Sequence, residues 1–270
     1  MIIDVVLNND FNAGPKHIDV SKYVCGVIDV IRATTTISVM LAKGAREIVI
    51  AKNKLQAFSL KKVFKDYLLC GEEGGHPPKG FDFGNSPLEY SRMNLEGKGI
   101  ILKTTNGTKS FFKTINSKCS FALSMVNINY TCDALISEAQ KNDLDILLLC
   151  SGEKGRIAYD DVYAAGFALN IIKQKKDDIV LSDSALIVLN NAKTESSICE
   201  ALKRSVSYRS MLKAGLGDDI NICCLPDLYD ITGKLQIHNE RKTKDFKEDS
   251  DPLKISNKVP DILTVKPYKM

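Results

Sequence analysis

Three stretches of the chain set carboxylates, hydroxyls and basic side chains where an apolar run gives way to a helical period. The first is Val27-Ile-Asp29-Val-Ile-Arg32-Ala-Thr34-Thr35-Thr36-Ile. A carboxylate near the carboxyl end of a buried strand, followed by a threonine-rich helix start, falls where ligands bind in open α/β sheets. The free N–H groups of that helix, the threonine hydroxyls and the Arg32 fork suit a phosphate or carboxylate. The same residues also read as a plain capped helix with an Asp29–Arg32 ion pair, and residue types alone leave both readings open. The second stretch, Gly99-Ile-Ile-Leu-Lys103-Thr104-Thr105-Asn106-Gly107-Thr108, repeats the logic. Its Asn-Gly step suits the left-handed turns and close backbone approach of an anion cradle. The spacing is not that of a Walker loop. The third, Leu148-Leu-Cys150-Ser151-Gly152-Glu153-Lys154-Gly155-Arg156-Ile-Ala-Tyr-Asp160-Asp161, opens into a glycine-bearing loop and a helix. Asp160 and Asp161 either face a ligand or simply favour the helix dipole. Cys150 has no neighbouring histidine to make it a nucleophile. With histidine only at 17, 76 and 238, a histidine-based triad or metal cluster is not expected.

The elements that must position these turns follow from periodicity. Apolar runs at 2–7, 24–30, 47–51, 67–70, 99–103, 119–123, 145–150 and 219–224 read as strands. Helical spacing fills 34–43, 55–65, 107–115, 130–141, 160–174, 184–191 and 195–214. That alternation predicts an α/β fold with a largely parallel or mixed sheet. A long Gly/Pro-rich interruption at 71–87 ends on Ser86-Pro87, a normal helix start. Loops of that length are usually functional, an excursion at the sheet edge being the alternative. After residue 239 the chain carries 14 charged residues and three prolines in 31 positions. The expected organisation is a domain over 1–239, in one or two lobes, and a surface-draped charged extension over 240–270.

Composition restricts the partners. The 270 residues are 44% apolar and 26% charged with a net charge of +4, ordinary for a globular enzyme-sized domain. No block of like charge suggests a nucleic-acid arm, and no apolar run approaches the ~20 residues of a membrane span. Met1 to Leu7 carries Asp4 inside its apolar run and lacks a basic start, so it reads as a first strand. A cytoplasmic protein is expected. Its eight cysteines, dispersed without a C-x-x-C pair, then act as small hydrophobes of a reducing compartment.

Four segments in order resemble the 2-phosphosulfolactate phosphatase family: Asp29-Val-Ile-Arg-Ala-Thr-Thr-Thr; Gly71-Glu-Glu-Gly-Gly with Gly80-Phe-Asp-Phe-Gly-Asn-Ser-Pro; Thr104-Thr-Asn-Gly-Thr; and Cys150-Ser-Gly. The likeness spans about residues 1–235 and does not reach the charged extension. It implies a layered α/β/α fold of family-specific topology. It further implies a magnesium-dependent phosphatase acting on 2-phospho-3-sulfolactate, a step of coenzyme M biosynthesis. In keeping with a fold unlike the common phosphatases, no D-x-D-x-[TV] signature is present. On this reading Asp29, Arg32 and Glu72 are the catalytic candidates. Asp29, Glu72 and Asp161 would hold Mg2+, with Glu73 and Asp160 as close substitutes. Thr34, Thr35, Thr105, Asn106, Gly107, Thr108 and Ser151 are candidate substrate contacts, and Arg156 would meet a second anion. The partner is a small anionic substrate, with neither nucleic acid nor membrane, and a homodimer is compatible with the sequence. Two rival functions share these turns: a phosphotransferase on a small phospho-acid, and a non-catalytic anion or nucleotide sensor, which would not need the carboxylates.

Overall fold

Apolar runs punctuated by glycine and polar turns become strands, and the periodic segments between them become helices. The structure is a computed structural model that describes residues 1–9, 18–238 and 262–270. The strands are β1 (Ile2–Val6), β2 (Tyr23–Ile28), β3 (Glu47–Ile50), β4 (Leu68–Gly71), β5 (Gly99–Lys103), β6 (Cys119–Leu123), β7 (Asp145–Cys150), β8 (Val180–Leu181), β9 (Thr232–His238) and β10 (Ile262–Tyr268). The helices are α1 (Ala33–Ala42), α2 (Lys54–Val63), α3 (Pro87–Ser91), α4 (Gly107–Lys113), α5 (Ile128–Asn142), α6 (Tyr159–Lys175), α7 (Asp183–Ala192), α8 (Ile198–Lys203), α9 (Val206–Lys213) and α10 (Ile220–Cys223). β2, β6 and β7 are buried at nearly every position, as parallel strands covered on both faces must be.

These strands form one mixed sheet in the order β4-β5-β3-β10-β9-β6-β2-β7-β1-β8. Two parallel blocks make its flanks, β6-β2-β7-β1-β8 and β3-β5-β4. An antiparallel pair joins them, β9 against β6 and β10 against β3. Helices cover both faces. Alternate residues of β3 prove the point: Ile48 and Ile50 pack with α1, whereas Val49 packs with Ala57 and Leu60 of α2. In the other block α5 and α6 cover Val24, Ile28 and Leu148, while Val27 turns to the α1 side. The layered α/β expectation therefore holds.

Three sequence expectations need correction. Residues 219–224 form a turn of 3-10 helix and then α10, not a strand, because Ile220 and Cys223 bury one face at helical spacing. The expected helix over 195–214 breaks in two at Ser205, whose hydroxyl caps α9 by accepting the Tyr208 N–H at 3.0 Å. The draped extension fails at its far end: β10 lies inside the sheet, with Leu263 and Val265 fully buried. A short strand ending in Lys266-Pro267 after a charged tract leaves little periodic signal. Residues 239–261 of that extension lie outside the described residues.

The two parallel blocks run in opposite senses, yet the loops after β2 and β7 meet those after β4 and β5 around one cavity. A twist of roughly 20–25° per strand, accumulated across the strands between them, turns the blocks toward each other. The active-site candidates are thus set at the carboxyl ends of four strands, two from each parallel block.

Candidate active site

Asp29 leaves β2 and anchors the first turn of α1. Its Oδ1 accepts the Ala33 N–H at 3.0 Å, and its carbonyl accepts the Thr34 N–H at 2.9 Å and hydroxyl at 2.8 Å. The N-terminal end of the helix dipole favours a negative charge there. Gly107 at the start of α4 closes over the same carboxylate. A Cβ on Gly107 would stand 2.4 Å from Ala33 Cβ and 2.7 Å from Asp29 Oδ2, so only glycine lets the two helix starts approach this closely. Burial pushes the Asp29 carboxyl up to about 7; the Ala33 N–H opposes that shift, and the charges of Asp160, Glu72 and Glu153 add to it.

Arg32 does not pair with Asp29. Its Nη1 donates to Asp219 Oδ2 at 2.7 Å and its Nη2 to the Gly75 carbonyl at 3.0 Å, both side chains of the ion pair being buried. Asp219 also accepts the Ser86 hydroxyl and, at 3.4 Å, the Leu88 N–H. Arg32, the loop after β4, the start of α3 and the entry to α10 are thereby clamped together. Removing one partner strands a buried charge, which typically costs about 3–5 kcal/mol. Asp219→Ala is therefore expected to lower the urea midpoint markedly, and a midpoint within error of the parent would refute the clamp.

Glu72 sits past β4 with both oxygens engaged. Oε1 accepts the Thr105 N–H at 2.6 Å and hydroxyl at 2.7 Å, and Oε2 accepts the Gly75 N–H at 3.0 Å. Asn106 Nδ2 donates to Glu153 Oε2 at 2.8 Å, so the β5–α4 turn grips carboxylates from the loops on either side. Those two loops share one device. Glu73 bridges His76, and Glu153 bridges Arg156, each across a two-residue turn. φ is positive at Gly74 and Gly75 in one turn and at Lys154 and Gly155 in the other, the backbone that tight hairpins of this kind require.

The resulting cavity has a volume of about 590 Å³, in the usual range of roughly 300–1,000 Å³ for small-ligand sites. Asp29, Arg32, Glu72, Asn85, Thr104 and Glu153 line it, together with Thr105 and Asn106. His76, Lys154 and Lys213 contribute side chains as well, and Ser207 to Ala214 bring the α9 wall. Among the described residues, no group of three or more His, Cys, Asp or Glu is disposed to enclose a metal by itself.

Several expected residues do not line the cavity. Asp161 is spent on the backbone: Oδ1 accepts the Val30 N–H and Oδ2 the Gly152 N–H, each at 2.9 Å. It ties the β2–α1 loop to the β7–α6 loop, so the trio Asp29, Glu72 and Asp161 is not assembled. Asp160 behind it accepts the Ser207 hydroxyl at 2.9 Å, and Glu73 is exposed. The hydroxyls of Thr34, Thr35 and Thr108 each donate to a main-chain carbonyl four or five residues back, at 2.8 Å, and are buried. Gly107 packs on Asp29, and Ser151 shares a 2.8 Å hydrogen bond with Ser110. Arg156 is exposed and outside the lining, and Lys154 of the same turn lines the cavity in its place. Cys150 and Arg156 have the C-x5-R spacing of cysteine-dependent phosphatase loops. Cys150 is fully buried, with burial and the neighbouring Asp161 and Asp160 pushing its thiol well above the ordinary range, the reverse of a reactive thiolate. Asn85, Glu153, Lys154, Lys213 and Asp219 were not among the expected site residues. Asn85, Glu153 and Lys154 lie in segments already singled out, whereas the other two come from helices more than a hundred residues from Asp29 and carry no motif.

Known proteins are similar to this chain over most of its length. A family model described as 2-phosphosulpholactate phosphatase matches residues 12–237. A probable 2-phosphosulfolactate phosphatase of Carboxydothermus hydrogenoformans is 37% identical over 222 residues, covering 80% of this chain and 90% of the relative. One from Pseudothermotoga lettingae is 37% identical over 212 residues, covering 78% and 88%. Another from Clostridium novyi is 30% identical over 222 residues, covering 81% and 90%. No described helix is long and apolar enough to cross a membrane.

Proposed function

Since the chain belongs to the 2-phosphosulfolactate phosphatase family, we propose that its cavity hydrolyses the phosphate monoester of 2-phospho-3-sulfolactate, or of a closely related phosphorylated three-carbon acid, with the aid of magnesium. The carrying observation is the convergence of the Asp29, Glu72 and Glu153 carboxylates with the Arg32 guanidinium in one cavity. Arg32 uses one N–H on Asp219 and one on Gly75, which leaves further donors of its fork for a phosphoryl oxygen. Its buried partner fixes the fork before substrate arrives, and such preorganisation is what stabilises a charge-rich transition state. Lys154 and Lys213 supply the positive charge that the carboxylate and sulfonate of the substrate require, the role expected of Arg156.

The donor set fits magnesium. Burial and the neighbouring carboxylates push the Asp29 carboxyl up to about 7, and a cation beside it would favour its ionised form. Magnesium needs only one or two protein carboxylates, the remaining positions going to water and phosphate oxygens. One or two of Asp29, Glu72 and Glu153 would hold it, directly or through water, and Asp161 would not. When bound, the ion neutralises phosphoryl charge and lowers the pKa of a coordinated water. Thr105 and Asn106 keep Glu72 and Glu153 in place, so the carboxylates do not have to reorganise.

The test is phosphate release from 2-phospho-3-sulfolactate and a panel of phosphorylated C3 acids, with and without added magnesium. Exhaustive chelation is expected to reduce turnover by at least about 100-fold, on the scale of losing a principal electrostatic contact, and magnesium should restore it. Full activity in chelator would remove the metal from the mechanism. Transfer to an added acceptor in place of water would mark a phosphotransferase, and binding without turnover a sensor.

A further inference from the structure

We propose that Asn85 is a phosphate-binding residue whose carboxamide binds, beside Arg32, the same oxyanion of the substrate that Arg32 holds. This rests on the phosphatase reading of the cavity. Asn85 is 3% exposed and lines the cavity, and its Oδ1 is buried without a hydrogen-bond partner among the described residues. Its Nδ2 also has no hydrogen-bond partner among the described residues but, unlike Oδ1, is not closed off from solvent. Its main chain is by contrast fixed: the Asn85 carbonyl accepts the Thr36 hydroxyl at 3.0 Å. The next residue, Ser86, binds Asp219, which holds Arg32. Asn85 and Arg32 therefore stand on one wall, joined through a single buried carboxylate.

An amide oxygen buried without a partner, as Asn85 Oδ1 is, costs the free protein stability, and native structures keep few such groups. Every other polar side chain discussed above at the cavity's inner end has a protein partner. Thr105 and Asn106 are bound to carboxylates, and Arg32 to Asp219 and Gly75. Of these side chains Asn85 alone has no protein hydrogen bond among the described residues, and a neutral donor adds an anion contact without closing the space between the carboxylates. A phosphoryl oxygen supplies the acceptor that Nδ2 lacks.

The experiment compares the parent protein with Asn85→Leu, which keeps the bulk and removes both polar ends, and Asn85→Asp, which exchanges the donor for an anionic oxygen. Inorganic phosphate is the probe, titrated by calorimetry with magnesium present, alongside KM and kcat for 2-phospho-3-sulfolactate and for a simple phosphomonoester. Phosphate affinity should fall by about tenfold or more in Asn85→Leu, as for loss of a hydrogen bond to a charged group, and further in Asn85→Asp. KM should rise on both substrates, while the melting temperature of Asn85→Leu stays equal or rises. Phosphate affinity within twofold of the parent in both variants overturns the proposal and leaves the phosphatase reading intact. Failure of both variants to fold also overturns it, because a group kept for a ligand is not needed by the free protein. A parent protein that neither binds nor releases phosphate removes the phosphatase reading, and this proposal with it.

Discussion

Asp29→Asn is expected to lower kcat by at least about 100-fold and to leave the protein as stable as the parent or more so. The two halves of that expectation have one cause. Asparagine preserves the shape and the Oδ1 that accepts the Ala33 N–H, so the first turn of α1 keeps its anchor. It removes the charge, which burial disfavours most and which Asp160, Glu72 and Glu153 disfavour further. For a carboxyl whose folded pKa of about 7 exceeds its unfolded value of 3.8, ionisation weighs against the folded state. The parent therefore loses stability as pH rises from about 4 to about 7 and then levels off. The variant has no such group, so its relative stability should grow across the same window. Thermal melts at pH 5 and pH 8 in chelator, paired with turnover at pH 8 in magnesium, check both halves. Near-parent turnover would take Asp29 out of the chemistry. A large loss of melting temperature would make it a structural cap.

The carboxylates at strand ends were legible in the sequence because an acidic residue at the close of a fully apolar run has few structural reasons to be there. Asp29 and Glu72 are such residues and line the cavity, as do Thr105 and Asn106 of the turn after β5. Hydroxyls at helix starts misled, because a threonine there can satisfy itself on the backbone, as Thr34, Thr35 and Thr108 do. The two aspartates at the head of α6 read identically in one dimension. Asp161 is absorbed by two backbone N–H groups and Asp160 by Ser207, distinctions that depend on which loop lies opposite. Asp219 and Lys213 could not be placed without knowing that α9 and α10 return to the ends of β2 and β4.

The parallel blocks were equally legible, since strands buried on both faces read as unbroken apolar runs. The pair joining them was not. β9 (Thr-Gly-Lys-Leu-Gln-Ile-His) and β10 (Ile-Leu-Thr-Val-Lys-Pro-Tyr) carry lysines and a proline, and their pairing partners are fixed only by the sheet. Lys234 shows how a charge is accommodated there: its Nζ bonds Glu138 of α5 at 3.1 Å and lies 4.9 Å from the centre of the Tyr268 ring. Tyr268 donates to the same carboxylate at 3.0 Å, so polar residues that hid the strands help to lock them.

Removing residues 240–270 is expected to abolish soluble folding, or to lower the melting temperature by more than about 15 °C if any fold survives. Within that segment β10 pairs with β9 over Ile262 to Tyr268 and with β3 over Leu263 to Val265. Without it, β3, β5 and β4 have no ladder to the rest of the sheet, and the loops that bring Glu72 and Thr105 to Asp29 belong to that detached block. Burying Ile262, Leu263 and Val265 is worth about 1.5–3 kcal/mol each, a sum comparable to the roughly 5–15 kcal/mol by which domains are stable at all. A milder probe separates the strand from the segment before it: Leu263→Ala leaves the chain intact and should cost about 2–5 kcal/mol. Supplying a peptide of residues 259–270 to the truncated chain should recover part of the lost stability if the empty register between β3 and β9 is the cause. A truncated protein with parent-like melting and turnover would show that the sheet closes without β10, and would return the segment to the role of a dispensable extension.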